Sequence, residues 1–197
     1  MLMPVARPSH VFISHSTRDE AIATRIKLIL DRLGLRAFVY GHSPWAGRNR
    51  FAAIAARLRE CSYVVVLLTR SAEKSPWVNQ EIGFAAALEK AVVPLVELRG
   101  PRGRRIAYFG FTELSDPINL RPAEPEEAIR DLLLSVASRA RSEGRWRGTI
   151  RLKCICGRIG SYRVRNLTVW QWDCKVCGRR LTVSPVTYEP LAQADEG

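Results

Sequence analysis

The 197-residue chain is predicted to fold as an α/β domain, with a central parallel sheet flanked by helices, followed by a small C-terminal β unit held together by cysteine. Three observations predict this. Short apolar runs alternate with amphipathic stretches as far as Arg141. The run at 63–69 is apolar at successive positions, which implies burial on both faces and hence a parallel sheet covered by helices. Two cysteine knuckles, Cys154-Ile155-Cys156-Gly157 and Cys174-Lys175-Val176-Cys177-Gly178, stand beyond that alternation.

Each element has its own signal. Residues 11–14 form a short apolar strand, and Thr17-Arg18-Asp19-Glu20 reads as a capping box opening a helix on Ile22, Ile26, Ile29, Leu30 and Leu33. Gly34 stops that helix. A second strand at 36–40 enters the loop 41–47, after which Phe51, Ile54, Ala55 and Leu58 mark the inner side of another helix. The third strand is 63–69. Ser75 suits the cap of the next helix and Pro76 its first position, where a missing N–H has no partner to lose; the helix is expected to reach about Lys90. Residues 92–97 form a fourth strand, 106–120 hold at most one edge strand, and 124–141 form a helix on Ile129, Leu132, Leu133 and Val136. The boundaries expected from this are 1–141 for the α/β domain, 142–148 for a linker, 149–186 for the cysteine unit and 187–197 for a flexible tail.

Composition narrows the function classes. The longest aliphatic run, 64–68, is far short of the roughly 18 residues that span a bilayer, so no membrane partner is expected and a cytoplasmic location is. The net charge is +12, and residues 139–181 carry 12 basic against 2 acidic residues. No phosphate-loop or dinucleotide fingerprint follows a strand, which argues against a nucleotide triphosphatase or a dehydrogenase. A phosphorylatable receiver would want an aspartate after the third strand, where Thr69-Arg70 stands. The histidines, His10, His15 and His42, have no metal spacing. Cys61 reads as a buried small apolar residue.

The stretch Ser75-Pro76-Trp77-Val78-Asn79-Gln80-Glu81 places Trp77 and Glu81 four apart on one helix face. An aromatic plane beside an acid at the carboxyl end of a parallel sheet suits a flat, cationic, ribose-bearing substrate. The commonest use of a helical glutamate is simply to be solvated.

Through Arg141 the pattern resembles the Toll/interleukin-1 receptor (TIR) domain of the prokaryotic type, which has a flavodoxin-like fold. The likeness rests on Val11-Phe12-Ile13-Ser14-His15-Ser16 with Asp19, the loop ending at Gly47, the strand 64–69, and Trp77-Val78 with Glu81-Ile82. The resemblance implies that Glu81 is catalytic in cleaving NAD+, with Ser14, His15, Ser16, Trp45, Gly47, Arg48 and Trp77 bordering the substrate. It also implies self-association through TIR domains and a role in signalling or antiviral defence. Active relatives often carry an acid at the end of the second strand, where this chain has Tyr40.

One carboxylate is enough for that chemistry. Nicotinamide is bound to ribose as a cation and departs neutral, so no general acid is needed, whereas glycosidases usually use two carboxyl groups. An ionised acid by the ribose stabilises the oxocarbenium-like transition state; attack by water gives ADP-ribose and attack by adenine gives a cyclic product. A noncatalytic TIR interaction module and a nucleoside deoxyribosyltransferase, which also uses one glutamate at a glycosidic bond, are the alternatives.

Cys154, Cys156, Cys174 and Cys177 have the pattern of four thiolates around one structural Zn2+, a zinc ribbon. Disulfides are the weaker expectation in a reducing compartment. Arg145, Arg147, Arg151, Lys153, Arg158, Arg163, Arg165, Arg179 and Arg180 lie among Trp146, Tyr162, Trp170 and Trp172, a mixture suited to nucleic acid or to an acidic protein partner.

Overall fold

The computed structural model describes residues 10–40, 47–99, 104–105, 116–144, 146, 148–154, 156–164 and 170–183. Strands β1 (His10–Ser14), β2 (Arg36–Val39), β3 (Tyr63–Leu68), β4 (Ala91–Arg99) and β6 (Ile118–Leu120) form a parallel sheet in the order β2-β1-β3-β4-β6. The two-residue β5 (Arg104–Arg105) pairs antiparallel with the end of β4. This is the flavodoxin-like order, with helices between β1 and β2, β2 and β3, and β3 and β4 returning the chain in parallel.

Alternation along the strands divides the core into two layers. Val11, Ile13, Tyr63, Val65 and Leu67 face α1 (Glu20–Arg32) and α5 (Glu126–Ser142), meeting Ile26, Ile29, Leu30, Ile129, Leu132, Leu133 and Val136. Phe12, Val64, Val66 and Leu68 face the other way, against Ile54 and Leu58 of α2 (Gly47–Glu60) and Val78, Ile82 and Ala85 of α4 (Pro76–Ala87). All six residues of β3 are buried, as its unbroken apolar run predicts. Cys61 is buried as expected, and burial pushes its thiol up to about 11.

Several local expectations are corrected. The capping box does not form: Thr17–Asp19 is a turn of 3-10 helix, and neither Ser16 nor Asp19 caps a helix with its side chain. Phe51 is 56 % exposed, not part of the inner side of α2, and its ring lies 6.1 Å from that of Phe84. Helix α4 ends at Ala87, short of Lys90, because Glu89 turns left-handed at φ +51° and the Glu89 and Lys90 amides fold back to the Ala86 and Ala85 carbonyls at 2.9 and 3.0 Å; the Lys90 ammonium then donates to the Arg59 and Cys61 carbonyls at the end of α2, at 2.9 Å each. The short helix α3 (Arg70–Glu73), held by a Thr69 cap to the Ala72 amide, was not anticipated. Gly34 does end α1, at φ +78° with its amide on the Asp31 carbonyl.

Beyond α5 stand two antiparallel hairpins, β7 (Thr149–Lys153) with β8 (Ile159–Arg163) and β9 (Trp170–Asp173) with β10 (Arg180–Val183). Trp146 joins them to the sheet domain. It is buried, its indole N–H donates to the Leu33 carbonyl at 2.6 Å, and the Arg141 guanidinium lies 4.9 Å from its ring centroid. Arg141 also donates to the Val164 carbonyl at 2.9 Å. Trp146 is therefore packing, not an aromatic available for stacking on bases; Arg145, Arg147 and Arg165 lie outside the described residues.

Candidate functional site

In a sheet of this order the crevice for ligands opens at the carboxyl ends of the two strands where the winding reverses, here β1 and β3. Ser14 is the last residue of β1 and Glu81 lies in the second turn of α4. The alternation that sends Phe12 toward α2 and α4 sends Ser14 the same way, and its hydroxyl donates to Glu81 Oε2 at 2.6 Å. Glu81 is 7 % exposed, so this is a carboxylate held inside the domain by a cross-element hydrogen bond. The Ser75 hydroxyl accepts from the Val78 amide at 3.5 Å, which fixes where α4 begins and hence where Glu81 sits.

Beside Glu81 runs an apolar slot between α2 and α4. Its walls include Phe51, Ile54, Leu58, Trp77 and Phe84, and its volume is about 10 Å3. That is enough for about one water. Trp77, 38 % exposed, stands at its rim on the same face of α4 as Glu81, as the four-residue spacing predicts.

The other expected residues fall around this pair. His15 is buried, with Nδ1 3.3 Å from the Ile13 carbonyl oxygen, and burial lowers its pKa against the opposing pull of that carbonyl, Asp19 and Glu20. Ser16 is buried next to it and donates to Asp19 Oδ2 at 2.5 Å. Gly47 and Arg48 open α2; the side chain of Arg48 and all of Trp45 lie outside the described residues. Tyr40 follows β2 and packs half-buried on the α2/α4 side.

A residue with a larger structural part than the sequence suggested is Asp19. The same oxygen that takes the Ser16 proton takes the Thr69 hydroxyl at 2.6 Å, tying the segment after β1 to the segment after β3 across the crevice. Its place at the start of a helix suggests a capping signal, and nothing local in the sequence points to a partner 50 residues away.

The TIR-domain family matches residues 11–133, which is more than half of the chain. The protein belongs to the TIR-domain family. No curated protein is significantly similar to the chain. Among solved structures it is similar to the TIR domain of the Toll-related receptor TRR-2 from Hydra magnipapillata, at 16 % identity over 64 % of this chain and 97 % of that one, with a TM-score of 0.48. It is also similar to the Clostridium botulinum CMP N-glycosidase BcmB, at 21 % identity over 64 % of this chain and 99 % of that one, with a TM-score of 0.47. A third is a 2-desoxiribosyltransferase from Leishmania mexicana, at 18 % identity over 55 % and 87 %, with a TM-score of 0.41. Membership supports a signalling or NAD-consuming module, and among the described residues no helix is long and apolar enough to cross a membrane.

The second site of the TIR protein is its cysteine cluster. The sulfurs of Cys154, Cys156, Cys174 and Cys177 all lie within 4.8 Å of one another, with 3.7 Å between Cys154 and Cys177 and 3.9 Å between Cys156 and Cys174. A disulfide is much shorter, whereas the edge of a tetrahedron with ~2.3 Å metal–sulfur bonds is about 3.8 Å. The sulfurs thus fit a zinc ion. Each knuckle is shaped by the same backbone device: Gly157 at φ +86° and Gly178 at φ +72° turn the chain, and their amides donate to the Cys154 and Cys174 carbonyls at 2.8 Å. Hydrogen bonds from the Cys177 and Val176 amides pull the Cys174 thiol down to about 6, while, against the pull of the Cys156 amide, burial and hydrogen bonds with the neighbouring thiols push Cys154 up to about 12, so that without a metal the cluster favours one thiolate.

Proposed function

We propose that the TIR domain cleaves the nicotinamide–ribose bond of NAD+, with Glu81 as the catalytic carboxylate. The observation that carries this reading is the buried Glu81 oriented by Ser14 at 2.6 Å beside Trp77. A carboxylate fixed in a dry, partly aromatic setting stabilises positive charge developing on a sugar ring far better than one in water, and it needs no reorganisation as the charge appears. Nicotinamide leaves as a neutral base, so Glu81 has only to hold its negative charge in place. Ser14 keeps one oxygen fixed, and Trp77 offers a face on which a flat ring can lie.

The slot is smaller than a ribose, so this reading requires α2 to part from α4 when substrate enters. Self-association of TIR domains is the proposed trigger, as suits a signalling or antiviral defence system. The zinc ribbon, 149–186, would be a separate unit after the linker 142–148 and before the tail 187–197, binding nucleic acid or an acidic protein through exposed residues such as Arg158, Arg163, Lys175 and Arg179. Four reduced thiols suit a cytoplasmic setting.

Incubating the zinc-loaded protein with NAD+ over a range of protein concentrations and measuring released nicotinamide tests the proposal. Glu81→Gln should lower turnover by about a hundredfold or more with the fold intact. Turnover retained in that variant would remove Glu81 from the mechanism. The small slot favours one competing reading, a noncatalytic TIR interaction module, which predicts no nicotinamide at any concentration. A deoxyribosyltransferase would instead exchange bases on a deoxynucleoside.

A further inference from the structure

A second cavity, of about 480 Å3, opens at the carboxyl ends of β1 and β3, on the crevice but apart from the apolar slot. Its size falls in the ~300–1,000 Å3 range of small-molecule sites. Its walls carry three cations. Arg18 comes from the segment after β1, and Arg70 and Lys74, one helical turn apart and so on one face, come from the segment after β3. The hydroxyls of Ser16, Thr17, Ser71 and Ser75 complete the lining among the described residues, none of which is apolar or acidic.

Among the described residues none of the three cationic side chains has an ion-pair or hydrogen-bond partner. Three neighbouring acids are engaged elsewhere. Glu97 accepts from the Arg70 backbone amide at 2.7 Å, Glu73 pairs with Arg99 at 3.3 Å, and Asp19 is turned to the Ser16 and Thr69 hydroxyls. Cations facing one another across a cavity repel, and an anion between them removes that repulsion. Guanidinium groups with hydroxyl donors match phosphate oxygens in both charge and hydrogen-bond geometry.

We propose that this cavity binds the phosphate groups of a nucleotide, clamped between Arg18 on one wall and Arg70 and Lys74 on the other. The site adjoins the catalytic pair along the chain on both sides: Ser16 is two residues beyond Ser14, and Ser75 caps the helix that carries Glu81. A dinucleotide with its diphosphate here has its ribose directed to Glu81. Only that identification of the ligand rests on the NAD+ reading; the phosphate site stands on the cavity and its charges.

The test uses the full zinc-loaded chain and inorganic pyrophosphate, followed by titration calorimetry at low salt. Wild type should bind, and the double variant Arg70→Ser/Lys74→Ser should bind at least about tenfold more weakly. A charge-matched pair on exposed positions elsewhere, Arg121→Ser/Arg130→Ser, should bind as wild type does, and so should Glu81→Gln. Arg70, which opens α3, and Lys74, which follows it, are both exposed, and an unchanged melting temperature checks that the fold is kept. Absence of binding by wild type, or equal weakening in both double variants, overturns the site. If the protein cleaves NAD+, Arg70→Ser/Lys74→Ser should raise KM by about tenfold with kcat little changed; an unchanged KM would exclude the cavity as the diphosphate site. Pyrophosphate binding with the expected pattern in a protein that never releases nicotinamide would leave the phosphate site standing and remove the NAD+ reading.

Discussion

Between His10 and Ser142 the chain is held by two apolar layers on either face of a sheet, with residues such as Ile13, Val65 and Leu132 almost wholly excluded from water. From Thr149 onward the structure is two separate two-stranded hairpins whose closest mutual approach is four sulfurs, with Cys154, Val164 and Cys174 as their share of the buried core. A two-stranded hairpin is marginal in water by itself, and a unit this small cannot bury enough surface to fold securely. The first region gains stability from area, gradually and from many residues; the second has four sulfurs placed to hold one metal ion, a source of stability that is all or none. The contrast predicts that the two regions fail under different insults.

The largest effect should come from the metal. Replacing Cys154 by Ser, or stripping the metal with a strong chelator, should cost the cysteine unit on the order of 10 kcal/mol and unfold it. Hydrogen exchange should then show full loss of protection in β7–β10 while β1, β3 and β4 stay protected. Loss of protection throughout the chain would break the comparison, because it would mean that the sheet also depends on the sulfurs.

Trp146 is where the two regions meet, and it gives the next effect in size. Trp146→Ala should destabilise the protein by roughly 3–5 kcal/mol, the usual cost of deleting a buried large aromatic. Trp146→Phe keeps most of the packing but strips the Leu33 carbonyl of its 2.6 Å donor, at about 1–3 kcal/mol. Urea unfolding followed separately in each region sharpens the point. If both midpoints move together the units are coupled through this residue; if only that of the cysteine unit moves, the sheet holds without it.

What could be read from the sequence follows the same division between local and distant causes. The buried strand β3, the Gly34 stop, the Ser75-Pro76 start and the four-cysteine pattern are all written within a few residues, because propensity, burial period and metal spacing act locally. Trp77 and Glu81 could be placed on one face for the same reason. Asp19 could not be assigned correctly, since its cross-crevice partner Thr69 is set by strand order. The early end of α4 comes from the left-handed turn at Glu89, a non-glycine residue that carries no stop signal in the sequence, and the exposure of Phe51 depends on how α2 sits against α4, which helical periodicity alone does not fix. The basic neighbours of Trp146 suggest a binding surface, although tertiary packing decides its burial. The cation-lined cavity was invisible for the same cause: Arg18 and Arg70 are brought together only by the parallel pairing of β1 with β3.

The smallest effect concerns acid. His15 is 1 % exposed, and burial lowers its pKa below the ordinary 6.5 against the pull of the Ile13 carbonyl and of Asp19 and Glu20. The unfolded chain therefore takes up a proton at this residue at a higher pH than the folded one does, so between the two pKa values the unfolded state binds more protons and stability rises with pH. The contribution is fully present above about pH 6.5 and is lost as the pH falls from there toward the folded-state value. His10, also lowered by burial and by Arg36 and Arg57 against Glu60, adds a slope of the same sign. Urea midpoints of the sheet domain should thus fall modestly from about pH 7.5 to about pH 5.5, and His15→Gln should flatten part of that fall. Protons also compete with metal for thiolates, so the cysteine unit loses its ion in the same direction of pH. Following zinc release beside the unfolding of the sheet separates the two: a His15→Gln variant with an unchanged slope in the sheet domain would place the whole acid sensitivity in the sulfurs or in His10.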